Sequence, residues 1–199
     1  MRERHLGRPE LGFSLLELVI VVVLISVLLA IAIERMLVIK AQAERAAMEQ
    51  VVSSIRSGLT IRLAELMIRA RLAEAPAMAG TNPMKVLVER PQNYLGEVFG
   101  PDPATLQPGN WYFDSRDGAL CYLVESAQYF QTALVPPRAR FRIEPVYEDV
   151  NRNGRYDAGV DSLHGLRLAA LEAYAWNLHF VWPDWPWSGS AKARPKGRG

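Results

Sequence analysis

The stretch FSLLELVIVVVLISVLLAIAI, residues 13–33, is the most apolar part of the chain and sets its architecture. Between Leu18 and Ile33 only Ser26 is polar, and a helix over these 16 residues would measure about 24 Å, less than a hydrocarbon core of about 30 Å. Extending the helix back to Phe13 gives 21 residues and about 31 Å, which is enough to span. The extension includes Glu17, a carboxylate that costs about 2.5–3.5 kcal/mol at a bilayer centre and is usually functional where it is retained.

The composition of the whole chain excludes several classes of protein. Of the 199 residues, 50% are hydrophobic and 22% charged, which excludes a disordered chain and a polytopic membrane protein. The 23 Lys and Arg against 21 Asp and Glu give a net charge of +2, too balanced for a dedicated nucleic-acid binder. A single cysteine, Cys121, excludes an internal disulfide framework and a cysteine-based zinc cluster.

Hydropathy alone favours a secretory signal peptide or a plain signal anchor. The segment before the apolar run, residues 1–12, suits either one because its basic residues, Arg2, Arg4 and Arg8, outnumber its acidic ones. Two details argue against both. No small-x-small cleavage site follows the run, since Glu34-Arg35 comes next, and an ordinary signal has no need of an acid five residues after a glycine.

The residues at the head of the run narrow the interpretation. Gly12-Phe13-Ser14-Leu15-Leu16-Glu17-Leu18 resembles the cleavage and methylation motif of type IV prepilins and type II secretion pseudopilins. In that family a short basic leader ends in glycine, and a glutamate lies five positions into the mature chain. Gly12 matches the leader glycine, Phe13 the residue that becomes N-methylated, and Glu17 the family glutamate.

The resemblance implies a partner set and a location. A membrane prepilin peptidase would cut between Gly12 and Phe13, leaving a cytoplasmic N-terminus and a single span in the bacterial inner membrane. The domain after the span would be periplasmic. Other pilin or pseudopilin subunits and an inner-membrane assembly platform would be its partners, and Glu17 would meet the Phe13 amine of a neighbouring subunit in the filament.

Two departures from major pilins favour a minor pilin or a pseudopilin. Many major pilins have a proline where this chain has Glu34, and many close a C-terminal loop with a disulfide that one cysteine cannot form.

Beyond Lys40 the helical pattern becomes amphipathic and predicts packing on a sheet. Apolar residues recur at three- and four-residue steps, and no proline interrupts residues 13–75. We expect one helix from Phe13 to Ala75 and a favourable Glu65–Arg69 pair. The predicted organisation is leader 1–12, transmembrane and assembly half 13–40, periplasmic domain 41–181 and tail 182–199. The predicted buried stripe comprises Met48, Val52, Ile55, Leu59, Leu63, Leu66 and Ala70.

The remainder predicts a small sheet, and hence an α+β, pilin-like lollipop in which the long helix packs on three or four antiparallel strands. Residues 76–109 are interpreted as a connecting segment, with a short helix at Met84–Glu89. Strands at residues 110–113 and 119–125 form a predicted hairpin, and alternation of buried and charged residues predicts a strand at Arg138–Val146. Residues 166–180 fit a strand or a short helix, and the family favours a final strand.

One loop has the spacing of a calcium site. Oxygen-bearing side chains at positions 1, 3 and 5 followed by Gly154 fit an EF-hand or dockerin-type loop, in which hard calcium collects six to eight oxygens. Val160 occupies position 12, where a bidentate acid is expected. The other interpretation is a polar turn held by local hydrogen bonds. The candidate ligands are Asp149, Asn151, Asn153, Asp157 and Asp161.

The remaining candidates do not indicate an enzyme or any other resident cofactor. Cys121 is predicted to be a buried small hydrophobe, and the three histidines, His5, His164 and His179, are scattered. No nucleophile elbow or phosphate-binding glycine loop is present in the sequence. The tail, 182–199, is rich in tryptophan and proline and then basic, which predicts a disordered end or else an aromatic contact with a partner or a membrane.

The sequence thus predicts a structural filament subunit that is assembled through its N-terminal helix. The alternative is a signal-anchored periplasmic binding module, possibly calcium-dependent, that does not polymerise.

Overall fold

The computed structural model describes residues 14–178, in which the apolar stretch forms the first part of helix α1, Leu15–Ile68. The Oγ of Ser14 caps this helix by accepting a hydrogen bond from the backbone N–H of Glu17 at 3.1 Å. The 54 residues of α1 form a rod about 81 Å long. The helix continues through Glu34 without interruption, as the absence of a proline predicts.

Helix α1 ends before the predicted Ala75. The backbone N–H of Arg71 donates to the carbonyl of Leu66 at 2.8 Å, and Ala70 adopts the left-handed conformation with φ of 53°. This arrangement is a Schellman motif, which satisfies the last carbonyls of the helix. The predictions of a helix to Ala75 and of Ala70 on the buried stripe are therefore wrong. A 3₁₀ helix, Leu72–Met78, follows the turn.

Seven strands follow within the described residues. They are β1 (Tyr94–Val98), β2 (Trp111–Asp114), β3 (Ala119–Leu123), β4 (Phe130–Thr132), β5 (Arg138–Glu148), β6 (Ser162–Ala170) and β7 (Tyr174–Trp176). Five of them form one sheet in the order β1-β2-β3-β5-β6, and β4 pairs with β7 in a second sheet. Only β1, which pairs with β2, makes a parallel pairing among them.

The predicted α+β class is confirmed, with the second half of the long helix packed on a sheet. The predicted hairpin is confirmed as β2 and β3, in which Trp111 lies opposite Tyr122. The predicted strand at 138–146 is confirmed as β5, whose Ala139, Phe141 and Ile143 are buried at alternate positions.

Four details of the predicted domain are wrong. Residues 76–109 are more than a connection, because they contain β1, which adds the parallel edge to the sheet. The short helix is a 3₁₀ turn at Pro83–Val86 instead of a helix at Met84–Glu89. The predicted number of strands, three or four, is lower than the seven among the described residues. The single final strand over 166–180 is two strands, β6 and β7, and its end at Phe180 lies outside the described residues.

The main core lies between α1 and one face of the larger sheet. Met48, Val52, Ile55, Leu59 and Leu66 of α1 are buried, and Leu63 is half-buried. They belong to one cluster with buried sheet residues, of which the largest are Trp111, Phe141, Leu120 and Ile143. The helical stripe predicted from the sequence therefore faces the sheet, and burial of these side chains is the main stabilisation of the domain.

The opposite face of the sheet also has a buried centre. Tyr112 and Cys121 are each 2% exposed, and Leu106 and Leu171 pack against this second cluster. Arg140 on the same face pairs with Glu172, with Nε and Oε1 3.0 Å apart. Both faces of β2 and β3 are thus covered, which explains why every residue of these two strands is buried.

Glu44 fastens the helix to the sheet at the first turn of the packed half. Its Oε1 accepts hydrogen bonds from the Tyr122 hydroxyl at 3.1 Å and the backbone N–H of Glu125 at 2.7 Å, and its Oε2 accepts one from the N–H of Ser126 at 2.8 Å. Lys40 Nζ lies 2.6 Å from Glu125 Oε1. We call this end of the domain, defined by Glu44 and residues 124–126, the proximal end.

The opposite end, defined by Ile68 and the loop 149–161, is the distal end. Strand β5 starts at the proximal end, since Arg138 lies opposite Leu123, and it runs away from Glu44. Gly165 of β6, just after the loop, lies beside Leu63 near the end of α1.

The predicted ion pair on α1 is replaced by a different one. Arg62 Nη1 lies 2.8 Å from Glu65 Oε2, whereas the prediction paired Glu65 with Arg69. Arg69 is the C-cap residue, where the chain leaves the regular helix, so the i,i+4 spacing no longer places the two side chains side by side.

Gly58 marks a close approach between α1 and the 3₁₀ turn at Pro83–Val86. A Cβ at residue 58 would lie 2.8 Å from Val86 Cγ2 and 3.0 Å from the Val86 carbonyl oxygen. Gly58→Ala gains about 1 kcal/mol of helix propensity but costs about 1–3 kcal/mol through overpacking. We therefore expect a lower midpoint of thermal unfolding, measured by circular dichroism of the detergent-solubilised chain. Ser57→Ala, at the exposed neighbouring position, should unfold at or slightly above the wild-type midpoint, and a stabilised Gly58→Ala would contradict the close approach.

Glu44→Gln should destabilise the domain by about 1–3 kcal/mol. The amide retains one oxygen, but its NH₂ group faces a backbone N–H donor that was hydrogen-bonded to a charged acceptor. Urea unfolding followed by circular dichroism measures the loss. Glu49→Gln is the control, because Glu49 is exposed and forms a surface pair with Arg45, so less than about 0.5 kcal/mol should be lost. Equal losses in the two variants would contradict the fastening role.

A tyrosine titration gives an independent measurement on the same variant. Burial, with the Glu44 charge second, raises the pKa of Tyr122. A raised folded-state pKa means that stability falls as the pH rises above the unfolded value of about 10. Glu44→Gln should lower the pKa of Tyr122 and make this alkaline loss smaller, as followed by tyrosinate absorbance.

Candidate functional site: the exposed half of helix α1

The first half of α1 leaves its apolar surface uncovered. Apart from Val38, which is half-buried, the large hydrophobic side chains from Leu15 to Ile39 are 40–81% exposed, and Ala41 is the first fully buried residue of the helix. Within residues 14–178 this is the one helix long and apolar enough to cross a membrane. A surface of this size is not left in water by a folded protein, so lipid or other apolar helices must cover it.

Two polar side chains interrupt the apolar segment from Leu15 to Ile33, and they do so in different ways. The hydroxyl of Ser26 donates to the carbonyl of Val22 at 2.7 Å, so its polarity is satisfied inside the helix. Glu17 lies in the first turn, where the positive end of the helix dipole favours an acid. Its carboxylate accepts no hydrogen bond from any residue between 14 and 178. Gly12 and Phe13, the predicted processing residues, lie outside the described residues.

The loop 149–161 at the distal end brings its three aspartates into one hydrogen-bonded turn. Asp149 Oδ2 accepts from the N–H of Gly154 at 2.7 Å. Asp161, only 8% exposed, accepts from the N–H groups of Val150 at 3.0 Å and Asp157 at 2.7 Å. The predicted polar turn is therefore present, and Asp161 closes it.

The other predicted ligands meet at Asp157. The side-chain amides of Asn151 and Asn153 donate to Asp157 Oδ2 at 2.7 and 2.5 Å. A cation at this point would require both amides to turn and present their oxygens. Among residues 14–178 no group of three His, Cys, Asp or Glu side chains is arranged to hold a metal ion, so such a cation would depend on the asparagines. Val160, at the position of the missing acid, is 53% exposed.

Cys121 is buried, as predicted. It is 2% exposed, and burial raises the pKa of its thiol to about 11. The neutral thiol is a poor nucleophile, so the residue acts as a small hydrophobe. His164 lies in β6, while His5, His179 and the tail 182–199 lie outside the described residues.

A cleft of about 480 Å³ lies between the end of α1 and the 3₁₀ helices that follow it. The charged groups of its lining form ion pairs, Arg62 with Glu65 at 2.8 Å and Lys85 with Glu97 at 2.8 Å. In each of these exposed pairs the two charges neutralise one another. No nucleophile or general base is left in position among these groups, so the cleft does not indicate a reaction.

The sequence did not reveal the role of Glu44. The groups that donate hydrogen bonds to its carboxylate lie about eighty residues later in the chain, and a single acid on an amphipathic helix is ordinarily a solvated side chain. No local signal distinguishes it.

Comparison with known proteins bears on the head of α1. The prokaryotic N-terminal methylation motif matches residues 7–33, which include Gly12, Phe13 and Glu17. No curated protein and no solved structure matches the chain significantly. The motif belongs to structural proteins, and together with one apolar helix near the N-terminus it indicates a single-pass membrane anchor. The chain therefore carries, at the head of an exposed apolar helix, the prepilin signal of type IV pilins and pseudopilins.

Proposed function

We propose that this chain is a subunit of a type IV pilus-like or type II secretion pseudopilus filament. The observation that carries the proposal is the uncovered half of α1, which directly continues the methylation motif and bears a single charged residue, Glu17, between residues 13 and 33. A prepilin peptidase would cut between Gly12 and Phe13, and the new amine of Phe13 would be methylated.

In this proposal, assembly transfers the first half of α1 from lipid to a core of similar helices. The segment 13–40 lies in the inner membrane and then moves into a core of similar helices as an assembly platform extrudes the fibre. The domain, 41–181, stays on the periplasmic side and supplies lateral contacts. Arg2, Arg4 and Arg8 support this orientation because basic residues remain on the cytoplasmic side.

Glu17 supplies the specificity of this step. In the filament its carboxylate would pair with the Phe13 amine of a neighbouring subunit. An ion pair in a medium of low dielectric constant is specific for register, because a shift strands both charges. The uninterrupted helix at Glu34 and the lone Cys121 favour a minor pilin or a pseudopilin over a major shaft subunit.

Glu17→Gln should remain inserted and processed but enter filaments at least tenfold less often. Removing one partner of a buried pair leaves the other charge unpaired, at a cost of about 3–5 kcal/mol. The measurement is the amount of variant in purified filaments, with co-expressed wild-type subunits. Ser26→Ala is the matched control, because the hydroxyl of Ser26 is satisfied within its own helix.

Mass spectrometry of the N-terminus separates the filament subunit from the alternative, a signal-anchored binding module. With a prepilin peptidase, the chain should begin at methylated Phe13; without it, the leader should be intact. A leader that stays intact in both cases would argue for the simple anchor, whereas normal incorporation of Glu17→Gln into filaments would contradict the proposed role of Glu17.

We propose, as a second property, that the loop 149–161 binds calcium weakly. The convergence of Asp149, Asn151, Asn153 and Asp157 around one turn supports this, with Asp161 holding the turn closed. The absence of an acid at residue 160 suits the weak end of the range, with Kd on the order of 10⁻⁴–10⁻³ M, typical of extracellular modules.

Calcium at ten times its Kd should stabilise the domain by about 1.4 kcal/mol. The measurement is the thermal midpoint in calcium, in magnesium and in chelator, for wild type and for Asp157→Asn. The wild type should gain stability in calcium and not in magnesium or chelator, and Asp157→Asn should gain none. Asp117→Asn, which changes an aspartate outside the loop, should keep the calcium response. Identical wild-type thermal midpoints in calcium and in chelator would show that the loop 149–161 does not bind calcium.

A further inference from the structure

We propose that the outer edge of strand β6 pairs with strand β1 of a second copy of this chain anchored in the same membrane. This inference rests on the membrane anchor of the proposed function, because anchoring gives both copies the same direction and the same height. It does not require a filament.

Strand β6 forms one edge of the larger sheet, where among residues 14–178 it pairs only with β5. Proteins ordinarily protect such edges with lysine, proline or a bulge. The nine residues of β6 include no lysine, proline or acid, and the irregularity of its pairing lies between Leu163 and Gly165. Arg167 pairs with Glu144 of β5, with Nη2 and Oε2 2.9 Å apart. Residues 166–170 therefore form a regular edge that is open to another strand.

A groove of about 390 Å³ lies beside this edge, between α1 and β6. Its apolar part is formed by leucines that belong to the main core or pack against it. Arg56 of α1 is exposed and forms no ion pair with any residue between 14 and 178. An occupant that combines an apolar side chain with a carboxylate would complement the groove. The lining residues are Arg56, Leu59, Thr60, Leu166, Arg167 and Leu168.

Strand β1, at the opposite edge of the sheet, has this combination. Glu97 lies opposite Phe113 of the main core, so it is on the face of the sheet that α1 covers. Its Oε1 lies 2.8 Å from Lys85 Nζ, and no residue between 14 and 178 donates a hydrogen bond to its Oε2. Phe99, two residues later, is 76% exposed. We infer that Phe99 of one copy enters the groove of the other, where Glu97 pairs with Arg56.

The directions of the strands allow both copies to keep the same orientation. Strand β5 runs toward the distal end, β3 is antiparallel to β5, and β2 is antiparallel to β3. Strand β1, parallel to β2, therefore runs toward the distal end, and β6 runs toward the proximal end. Side by side, β1 of one copy and β6 of the other are antiparallel, whereas two β6 edges would form the less stable parallel pair. Each pair still has one open β1 and one open β6, so the contact can repeat.

The register of the sheet places the interacting groups at one height. Phe99 lies two residues beyond Glu97 on β1, and Leu168 lies two residues before Ala170 on β6. Because Glu97 and Ala170 share a row, Phe99 and Leu168 are level as well. Two copies anchored at the same depth thus bring Phe99 of one beside Leu168 of the other. The shared row across the sheet is Glu97, Phe113, Leu120, Phe141 and Ala170.

A second copy suits the groove better than the chain's own tail. The last eight residues of the sequence contain four Lys and Arg, and no acid follows Asp184. Like charges would therefore meet at Arg56 and Arg167. Confinement to one membrane also raises the effective concentration of a second copy, which favours a contact made by a strand of five residues.

Cysteine cross-linking tests the pairing on the full chain in bacterial membranes. Cells without a prepilin peptidase and an assembly platform express two tagged forms of the chain, one with Leu95→Cys and one with Ala170→Cys. Both positions are exposed, whereas the native Cys121 is buried and should not react. A short bis-maleimide should join the two forms into a dimer that carries both tags. Either form alone should remain a monomer.

Variants of the groove and of its occupant supply the matched comparisons. Phe99→Ser in the Leu95→Cys form should lower the yield of the dimer by about tenfold, as expected for an aromatic anchor. Val160→Ser, at an exposed valine of the distal loop, should leave the yield unchanged. Arg56→Glu in the Ala170→Cys form should also lower the yield, and Glu97→Arg in the other form should restore it.

Several outcomes would overturn the proposal. Dimers of the Ala170→Cys form alone would show that two β6 edges meet, and a yield unchanged by Phe99→Ser would show that the groove is not occupied by this side chain. Cross-linking that requires deletion of residues 182–199 would assign the groove to the tail of the same chain. No dimer from forms that are both in the membrane would contradict the pairing and leave the filament proposal intact. A chain absent from the membrane would contradict both.

Discussion

One continuous helix has to satisfy two different surroundings, and the rest of the molecule depends on this constraint. Between Leu15 and Ile33 helix α1 is apolar on nearly all sides, while beyond Ala41 its buried residues form one stripe that faces the sheet. The backbone between the halves is regular, so any rotation of the domain about α1 would require the whole stripe to leave the core. Glu44 sits at this transition and holds the first packed turn with three hydrogen bonds. The direction in which the domain faces is therefore fixed relative to the exposed half.

Features with local periodicity could be predicted from the sequence, and features created by distant contacts could not. The apolar run, the stripe of α1 and the alternation in β5 each follow from one repeating pattern. The end of α1 could not be predicted, because Ala70 adopts a left-handed conformation that alanine seldom takes, and no glycine marks the position in the sequence. Strand β1 was missed because its partner, β2, lies in a parallel pairing across a proline-rich connection, and β1 itself bends at Gly96 with φ of 102°.

The residues of the candidate site also divide into those that a local pattern predicts and those that depend on distant contacts. The head of α1 could be predicted because the residues that define it are adjacent in the sequence, and the methylation motif matches that segment. The turn at 149–161 could also be predicted, since Asp and Asn side chains at alternate positions accept hydrogen bonds from backbone N–H groups a few residues later in the same loop. The role of Glu44 could not, because it depends on which end of the sheet meets which turn of the helix. Only the register of the strands fixes that geometry.

The energetics of the exposed half give particular weight to the carboxylate of Glu17. Lipid chains are as apolar as leucine, so moving a helix from a bilayer into a bundle of similar helices gains little from hydrophobic burial. Packing and polar contacts must then decide which neighbours and which register are preferred. Ser26 contributes nothing to that choice, because its hydroxyl is bonded to Val22 in either setting. In the proposed filament, Glu17 is the charged group of the segment, and its carboxylate would gain a partner only from another subunit. The proposed step from membrane to filament would thus be selected by the residue that the membrane accommodates least well.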